Sequence, residues 1–286
     1  MAAGIPTMCC DFMQPGNPDT KRIHPLPESV QPERELLMVG MGAKTYRIGK
    51  IVRKECHILA DDEPITNQNR EACETEAEVY LILGSHPLIA NCLSICPQKD
   101  YIELEYYPND NLKKYVNRNS SNITNGDLKR WATQMIKSVA YIHSKGVRHS
   151  DLRLDQWLVD ESLNARLCDF NAAGFDDQPD LGIKARRSLG LEIPSHYLPR
   201  DPENNSTMQS DIFALGSSLY ELVTGQTPYN DLEEQVIQSL FEVETFPNTD
   251  TLLFGGIILG CWIKEFASVN DIIWAVETPT VINIEK

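Results

Sequence analysis

The chain has 286 residues, enough for one large domain or two coupled lobes around a sizeable core. Its 42% hydrophobic and 23% charged content excludes a wholly disordered chain. Lys and Arg number 26 against 41 Asp and Glu, a net −15, which argues against wrapping a nucleic-acid backbone. Residues 1–35 carry Pro6, Pro15, Pro18, Pro25, Pro27 and Pro32 without apolar periodicity and read as an N-terminal tail. LLMVG and KTYRIGKIVRKE then predict strands joined by turns at Gly42 and Gly49. Residues 69–84 read as a helix, with Ala72, Glu76, Val79 and Leu83 at helical spacing and Gly84 as its stop. Strand signals return in LIANCLSIC and DYIELEYY, so the first third is strands around one helix.

The remainder is mostly helical. Asp127 is the expected N-cap of a helix carrying Leu128, Trp131, Ala132, Met135, Val139 and Ile142, ended by Gly146. A second helix over about 207–224 is almost wholly apolar across IFALGSSLYELV, predicts burial all round, and stops at Gly225. Between them, 147–206 is loop-rich and holds most of the unusual polar residues, the pattern of a functional loop region. The apolar run 252–263 is too short for a membrane span of about 20 residues.

The eight cysteines offer no paired zinc spacing, since Cys92-x-x-x-Cys96 stands alone. The start has no basic flank followed by an apolar stretch, so no signal peptide is read, and an intracellular, cytoplasmic or nuclear setting with reduced thiols is expected. Between Asp201 and Lys286, 14 acidic residues face only Lys264 and Lys286 as cations. Such a surface repels anionic membranes and favours a basic protein partner.

The chemistry-bearing residues gain meaning from their order. Gly40-Met41-Gly42 lies between strands, Lys54 follows in Ile-Val-Arg-Lys, and Glu76 sits on a helix. His149-Ser150-Asp151-Leu152-Arg153-Leu154-Asp155-Gln156 follows a helix, and Asp169-Phe170-Asn171 follows a strand. Ser210-Asp211-Ile212-Phe213-Ala214-Leu215-Gly216 heads a buried helix. In this order the chain resembles a eukaryotic protein kinase domain. LEYYPNDNL resembles that family's hinge and YIHSKGVRHSDLRLDQWLV its catalytic loop. Leu198-Pro199-Arg200 together with SDIFALGSSLYELVTGQTPY resembles small kinase-like proteins of filamentous fungi.

The resemblance implies an α+β, bilobal fold: a small antiparallel sheet with one helix over 36–107, and a mainly helical lobe over 108–286. It implies ATP and Mg²⁺, or Mn²⁺, as cofactors, with a protein as phosphoryl acceptor. Lys54 would hold the α/β-phosphates and pair with Glu76, Glu78 being the competing partner. Asp151 would accept the substrate hydroxyl's hydrogen bond, and Arg153 would steady the γ-phosphate. Asp169 and Gln156 would hold the metal. Gly40, Gly42, Val52, Glu105, Tyr106 and Leu158 would surround the nucleotide, and His149, Phe170, Tyr80 and Asp211 would form a stack joining the lobes.

Several residues depart from the family's pattern. Gln156 replaces Asn, carrying its amide oxygen one methylene further, so octahedral Mg²⁺ would need a shifted backbone. Val52 stands where the family has a small Ala above the adenine. Ala43 or Thr45 takes the third glycine position, and Asn171 the glycine after Asp-Phe, where a positive φ is tolerated. Ser150 replaces the Arg that receives an activation-segment phosphate, so activity is expected not to depend on phosphorylation of 172–197, Ser188 included. Cys168, beside Asp169 and across from Lys54, is expected to face the nucleotide with a modestly activated thiol.

Arg153, two residues after Asp151, points to Ser/Thr kinase activity. The alternative is a pseudokinase, a nucleotide-binding or protein-binding scaffold, because the four charged residues survive while the Asn and the roof Ala do not. A small-molecule phosphotransferase of the aminoglycoside type shares the His-x-Asp arrangement, but the Ser-Asp-Ile-Phe-Ala-Leu-Gly helix and Leu-Pro-Arg argue against it.

Overall fold

The computed structural model describes residues 33–278 apart from Met41 and Pro202. The tail expected over 1–35 lies outside these up to residue 32, while Arg34 and Glu35 already belong to the first strand. Strands β1 (Arg34–Val39), β2 (Ala43–Ile48) and β3 (Ile51–Cys56) run antiparallel through a turn at Gly49, whose φ of 63° suits a residue without a Cβ. Helix α1 (Glu63–Leu83) follows, then β4 (Cys92–Ile95) and β5 (Tyr101–Glu105). The sheet order is β1-β2-β3-β5-β4, with all pairs antiparallel.

Helix α1 starts six residues before the expected Asn69. Asp62 caps it by accepting from Ile65 N at 3.0 Å, and Pro64 lies in the first turn, where its missing N–H costs nothing. The expected strand 88–96 is likewise trimmed to Cys92–Ile95, because Leu88 O accepts from Leu167 N and Ala90 N donates to Leu167 O in the other lobe.

After the hinge come α2 (Leu112–Asn119) and α3 (Asn125–Ser144). Thr124, not Asp127, is the N-cap of α3; Asp127 occupies the third helical position and returns a bond to Thr124 N in a capping box. Strands β6 (Val147–Arg148), β7 (Trp157–Val159), β8 (Ala165–Leu167) and β9 (Gly174–Phe175) form two small ribbons, β6 with β9 and β7 with β8. Helices α4 (Met208–Thr224), α5 (Glu234–Glu242), α6 (Gly255–Trp262) and α7 (Val269–Glu277) complete the lobe.

The fold is the bilobal α+β arrangement implied by the sequence. Helix α4 is the buried axis of the larger lobe, as its apolar run predicts, with Ile212, Phe213, Ala214, Leu215 and Leu219 all in the core. Gly216 lets α6 approach it, since a Cβ there would stand 2.6 Å from Cys261 Cβ. Trp131, Trp157 and Trp262 are fully buried, and each indole N–H finds an acceptor, on Leu163 O, Ser138 Oγ and Ser217 Oγ respectively. This rigid base carries the loop that holds His149 to Gln156.

Candidate active site

Strand register sets the first side chain. Lys54 stands opposite Thr45 on β2 and Ile102 on β5, on the same face as Val52, and its ammonium is buried. Nζ lies 2.7 Å from Glu76 Oε2 on α1 and also contacts Asp169 Oδ1. Burial alone would depress the Lys54 pKa, but the Asp169 and Glu76 carboxylates more than offset it and hold the ammonium far above its usual range. Asp169 is correspondingly lowered: burial opposes its charge, and Lys54 outweighs burial. Glu78, the competing partner, faces away from Lys54 and meets Lys99 at 2.7 Å and Arg186 at 3.0 Å.

The loop bearing Asp151 is fixed from below by Asp211 of α4. Its carboxylate accepts from His149 N at 2.8 Å, Ser150 N at 2.9 Å and His143 Nε2 at 2.9 Å. These bonds hold Ser150 in a left-handed conformation with φ of 64°, which presents Asp151 to the cleft. Asp151 Oδ2 accepts from Gln156 Nε2 at 3.0 Å and Arg153 Nη2 at 3.2 Å, while Oδ1 is buried without a partner. Burial pushes the Asp151 carboxyl up to about 7, with Arg153 pulling down and Asp169 pushing up. A carboxylate with one bare oxygen, titrating near neutrality, can take a proton from a hydroxyl.

Asp169 also has a left-handed backbone, with φ of 65°, and Phe170 beside it is fully buried. The Phe170 ring lies 5.4 Å from Tyr80 of α1, edge to face, and 5.2 Å from His149. His149 Nε2–H donates to Cys168 O at 3.0 Å. Tyr80, Phe170, His149 and Asp211 therefore form one column from the small lobe to α4.

The expected nucleotide slot is lined less uniformly. Val52 pairs with Leu104 on β5 and with Arg47 on β2, and Leu158 packs beside Ala90, Tyr107 and Cys168. Sequence reasoning missed Arg47, whose guanidinium lies 4.0 Å above the Tyr106 ring. Its alternation with Thr45 on β2 was the available signal. At the hinge, Glu105 N donates to Asn91 O and Tyr106 N to Lys50 O, both at 3.0 Å. Among the described residues, the N–H of Tyr107, a position the sequence reading left out, makes no such backbone bond. Gly40 N donates to Ala43 O at 2.8 Å, and Gly42 O accepts from His57 N at 3.0 Å, so the glycine turn is tied to the end of β3.

The metal-side residues suit a hard cation. Asp169 gives one oxygen to Lys54, and its side chain remains 27% exposed. Gln156 holds Asp151 through its amide nitrogen, which leaves the amide oxygen as a neutral donor. Mg²⁺ keeps several waters and takes one or two protein oxygens, so this donor set fits it.

A family model described as "Protein kinase domain" matches residues 56–252, beginning after the glycine turn and Lys54. The chain belongs to the protein kinase family. Maternal embryonic leucine zipper kinase of Xenopus tropicalis is 25% identical over 231 residues, 78% of this chain and 34% of the relative. A probable serine/threonine-protein kinase PknB of Lactococcus lactis is 31% identical over 174 residues, 59% of this chain and 26% of the relative. CBL-interacting protein kinase 25 of Oryza sativa is 30% identical over 157 residues, 52% and 29% respectively. The chain thus spans about a third or less of the length of these relatives. No described helix is long and apolar enough to cross a membrane.

Two expectations follow for this kinase cleft. Gln156→Ala is expected to cost about tenfold in phosphoryl transfer and to shift the Mg²⁺ dependence to higher concentration. A lower rate with unchanged Mg²⁺ dependence would leave Gln156 only its bond to Asp151. Cys168 reverses the reading of a modestly activated thiol. Burial and Asp169 push its pKa well above the usual range, and Lys54 counters them too weakly. In the native protein Cys168 should resist alkylation and label more slowly than half-buried Cys56, as mass spectrometry would read. Faster labelling of Cys168 would contradict this.

Proposed function

We propose that the chain is an ATP- and Mg²⁺-dependent protein kinase that transfers the γ-phosphoryl group to Ser/Thr hydroxyls of a protein substrate. The observation that carries this reading is the joined cluster of Lys54, Glu76 and Asp169 beside an Asp151 with a bare, buried oxygen. Phosphoryl transfer needs positioning and charge neutralisation more than covalent chemistry from the protein. Lys54, held by Glu76, binds the α/β-phosphates. Asp169 and Gln156 would hold a Mg²⁺ ion, which would supply positive charge beside the phosphate oxygens. Asp151 Oδ1 takes the hydroxyl proton as the substrate oxygen bonds to the γ-phosphorus and the bond to the β–γ bridging oxygen breaks, releasing ADP. Arg153, which spans Asp151 and Asp155 at 3.2 Å each, turns to the transferred phosphoryl group.

Exposed Asp231, Glu233, Glu234, Glu242, Glu244 and Asp250 around α5 favour a basic substrate segment, in an intracellular, cytoplasmic or nuclear setting. A pseudokinase scaffold is the second reading, favoured by Val52 on the face of β3 that carries Lys54, where a smaller residue would leave more room for an adenine ring. Labelled γ-phosphate transfer to mixed Ser, Thr and Tyr peptides separates the two. Label on Ser/Thr peptides supports the kinase; no label with either Mg²⁺ or Mn²⁺, in protein that binds ATP, supports the scaffold.

A further inference from the structure

Glu74 and Glu78 lie one turn apart on the same side of α1, where two carboxylates repel each other. Two cations hold them. Lys99, in the turn between β4 and β5, contacts Glu78 Oε1 at 2.7 Å and Glu74 Oε1 at 3.4 Å. Arg186, from the segment after Asp169, contacts the other oxygen of each: Nη2 lies 3.0 Å from Glu78 Oε2 and 3.1 Å from Glu74 Oε2. Burial would raise the Glu74 pKa, but Arg186 and Lys99 lower it overall, so it carries its charge in this arrangement. Lys99 belongs to the same lobe as α1. Arg186 comes from the other lobe.

The backbone of Arg186 is equally committed. Phe175 N donates to Arg186 O at 3.0 Å, and Arg186 N donates to Phe175 O at 2.9 Å. Phe175 on β9 pairs with Val147 on β6, two residues before His149 and four before Asp151. Gly174 permits the close approach of the segment, because a Cβ there would stand 2.7 Å from Ser188 N. A continuous path thus runs from the carboxylates of α1 through Arg186 and β9–β6 to the Asp151 loop. Glu76, partner of Lys54, lies between Glu74 and Glu78 on α1.

We infer that Arg186 is a positioning residue that clamps α1 to the Asp151 loop, setting the Lys54–Glu76 pair by a fixed charge carried in the chain rather than by an added phosphate. The inference rests on the proposed kinase activity. Ser150 supplies no cation to receive a phosphate, and Ser188 is buried with its hydroxyl donating to Asn205 Oδ1 at 2.6 Å, so it is not presented for modification. Nη2 alone makes both contacts, so an ammonium at position 186 keeps the charge but lacks the reach and planarity of the guanidinium, and Lys should replace Arg only in part.

The test compares the full chain with its Arg186→Met and Arg186→Lys variants. Two readouts are taken: kcat and the ATP KM of γ-phosphoryl transfer, and amide hydrogen exchange. Arg186→Met is expected to lower kcat roughly ten- to hundredfold with a smaller change in KM. Exchange should quicken in both α1 and residues 184–188 while α4 and α6 stay protected. Arg186→Lys should recover part of the kcat, and Ser188→Ala should leave it unchanged. A parent that transfers phosphate, with Arg186→Met changing neither kcat nor exchange, overturns the clamp. So does loss of transfer in Ser188→Ala protein that is folded. A parent that transfers no phosphate overturns the proposed activity instead, and exchange alone then decides: faster exchange in both elements supports the clamp, unchanged exchange overturns it. Should Arg186→Met fail to fold, Glu74→Leu together with Glu78→Leu removes both acceptors that Arg186 meets and is read by the same criteria.

Discussion

Asp151→Asn is expected to lower γ-phosphoryl transfer by about 10²–10⁴-fold, the usual worth of a positioned general base, while leaving the fold at least as stable. Asn keeps an oxygen for Gln156 Nε2 and Arg153 Nη2, so both bonds to Asp151 can survive. It removes a buried charge whose other oxygen has no partner. The sign of the pH dependence follows from the shift. The folded-state carboxyl, pushed up from 3.8 to about 7, holds its proton more tightly than the unfolded chain does. Ionising it therefore costs stability as pH rises from about 4 to about 7, and the variant should gain on the parent across that window. Over the same upper range the parent's rate should climb as the base form appears. Thermal melts and a pH–rate profile check both; a variant with undiminished transfer would remove Asp151 from the chemistry.

Asp211→Ala should be the most destabilising single change in the site, by about 3–5 kcal/mol, because it strips acceptors from buried groups. It orphans His149 N, Ser150 N and the His143 ring together, and it releases the left-handed Ser150 that presents Asp151. At roughly 2–4 °C per kcal/mol for a chain of this size, the melting temperature should fall by about 10 °C. Acid dependence gives a second check. Burial opposes the Asp211 charge, but His143, the His149 ring and the Ser150 N–H lower its pKa all the same. A carboxyl held below its unfolded value contributes stability above that value, near 4, and loses it as pH falls through the lower folded value. The parent should therefore lose more stability than Asp211→Ala on acidification below about pH 4, in urea unfolding at two pH values. A variant within about 1 kcal/mol of the parent would show that other groups hold the loop.

How much of this was legible depended on whether the signal was local. The run around α4 carries its own boundaries, Thr207 as cap and Gly225 in the left-handed C-terminal position, and its mostly apolar middle announces burial on nearly every face. The starts of α1 and α3 were misplaced because each stretch offers more than one capping residue. Thr124 and Asp127 both qualify, and only the reciprocal bond between them decides. Residues 88–90 have strand composition but find their partner across the lobes at Leu167, a contact no local pattern encodes.

The candidate site divides in the same way. Lys54, Asp151 and Asp169 stand in short motifs whose order identifies them, and helical spacing favoured Glu76 over Glu78. The Arg186 contacts with Glu74 and Glu78 join residues 112 and 108 apart in the chain, and nothing in Arg186-Arg187 signals them. Cys168 shows a competition of magnitudes rather than of pattern: the nearby cation is present, but burial and Asp169 outweigh it.

Nucleotide binding is the step on which all the proposed chemistry depends, and thermal melting with ATP reads it directly. Ligand that binds only the native state raises the melting temperature with the logarithm of its concentration above Kd. ATP with Mg²⁺ should raise the melting temperature of the full chain, ATP without metal should raise it less, and Lys54→Met should lose most of the shift. No shift at millimolar ATP with either Mg²⁺ or Mn²⁺, in protein that melts cooperatively, would contradict a nucleotide site between these lobes and the phosphoryl transfer built on it.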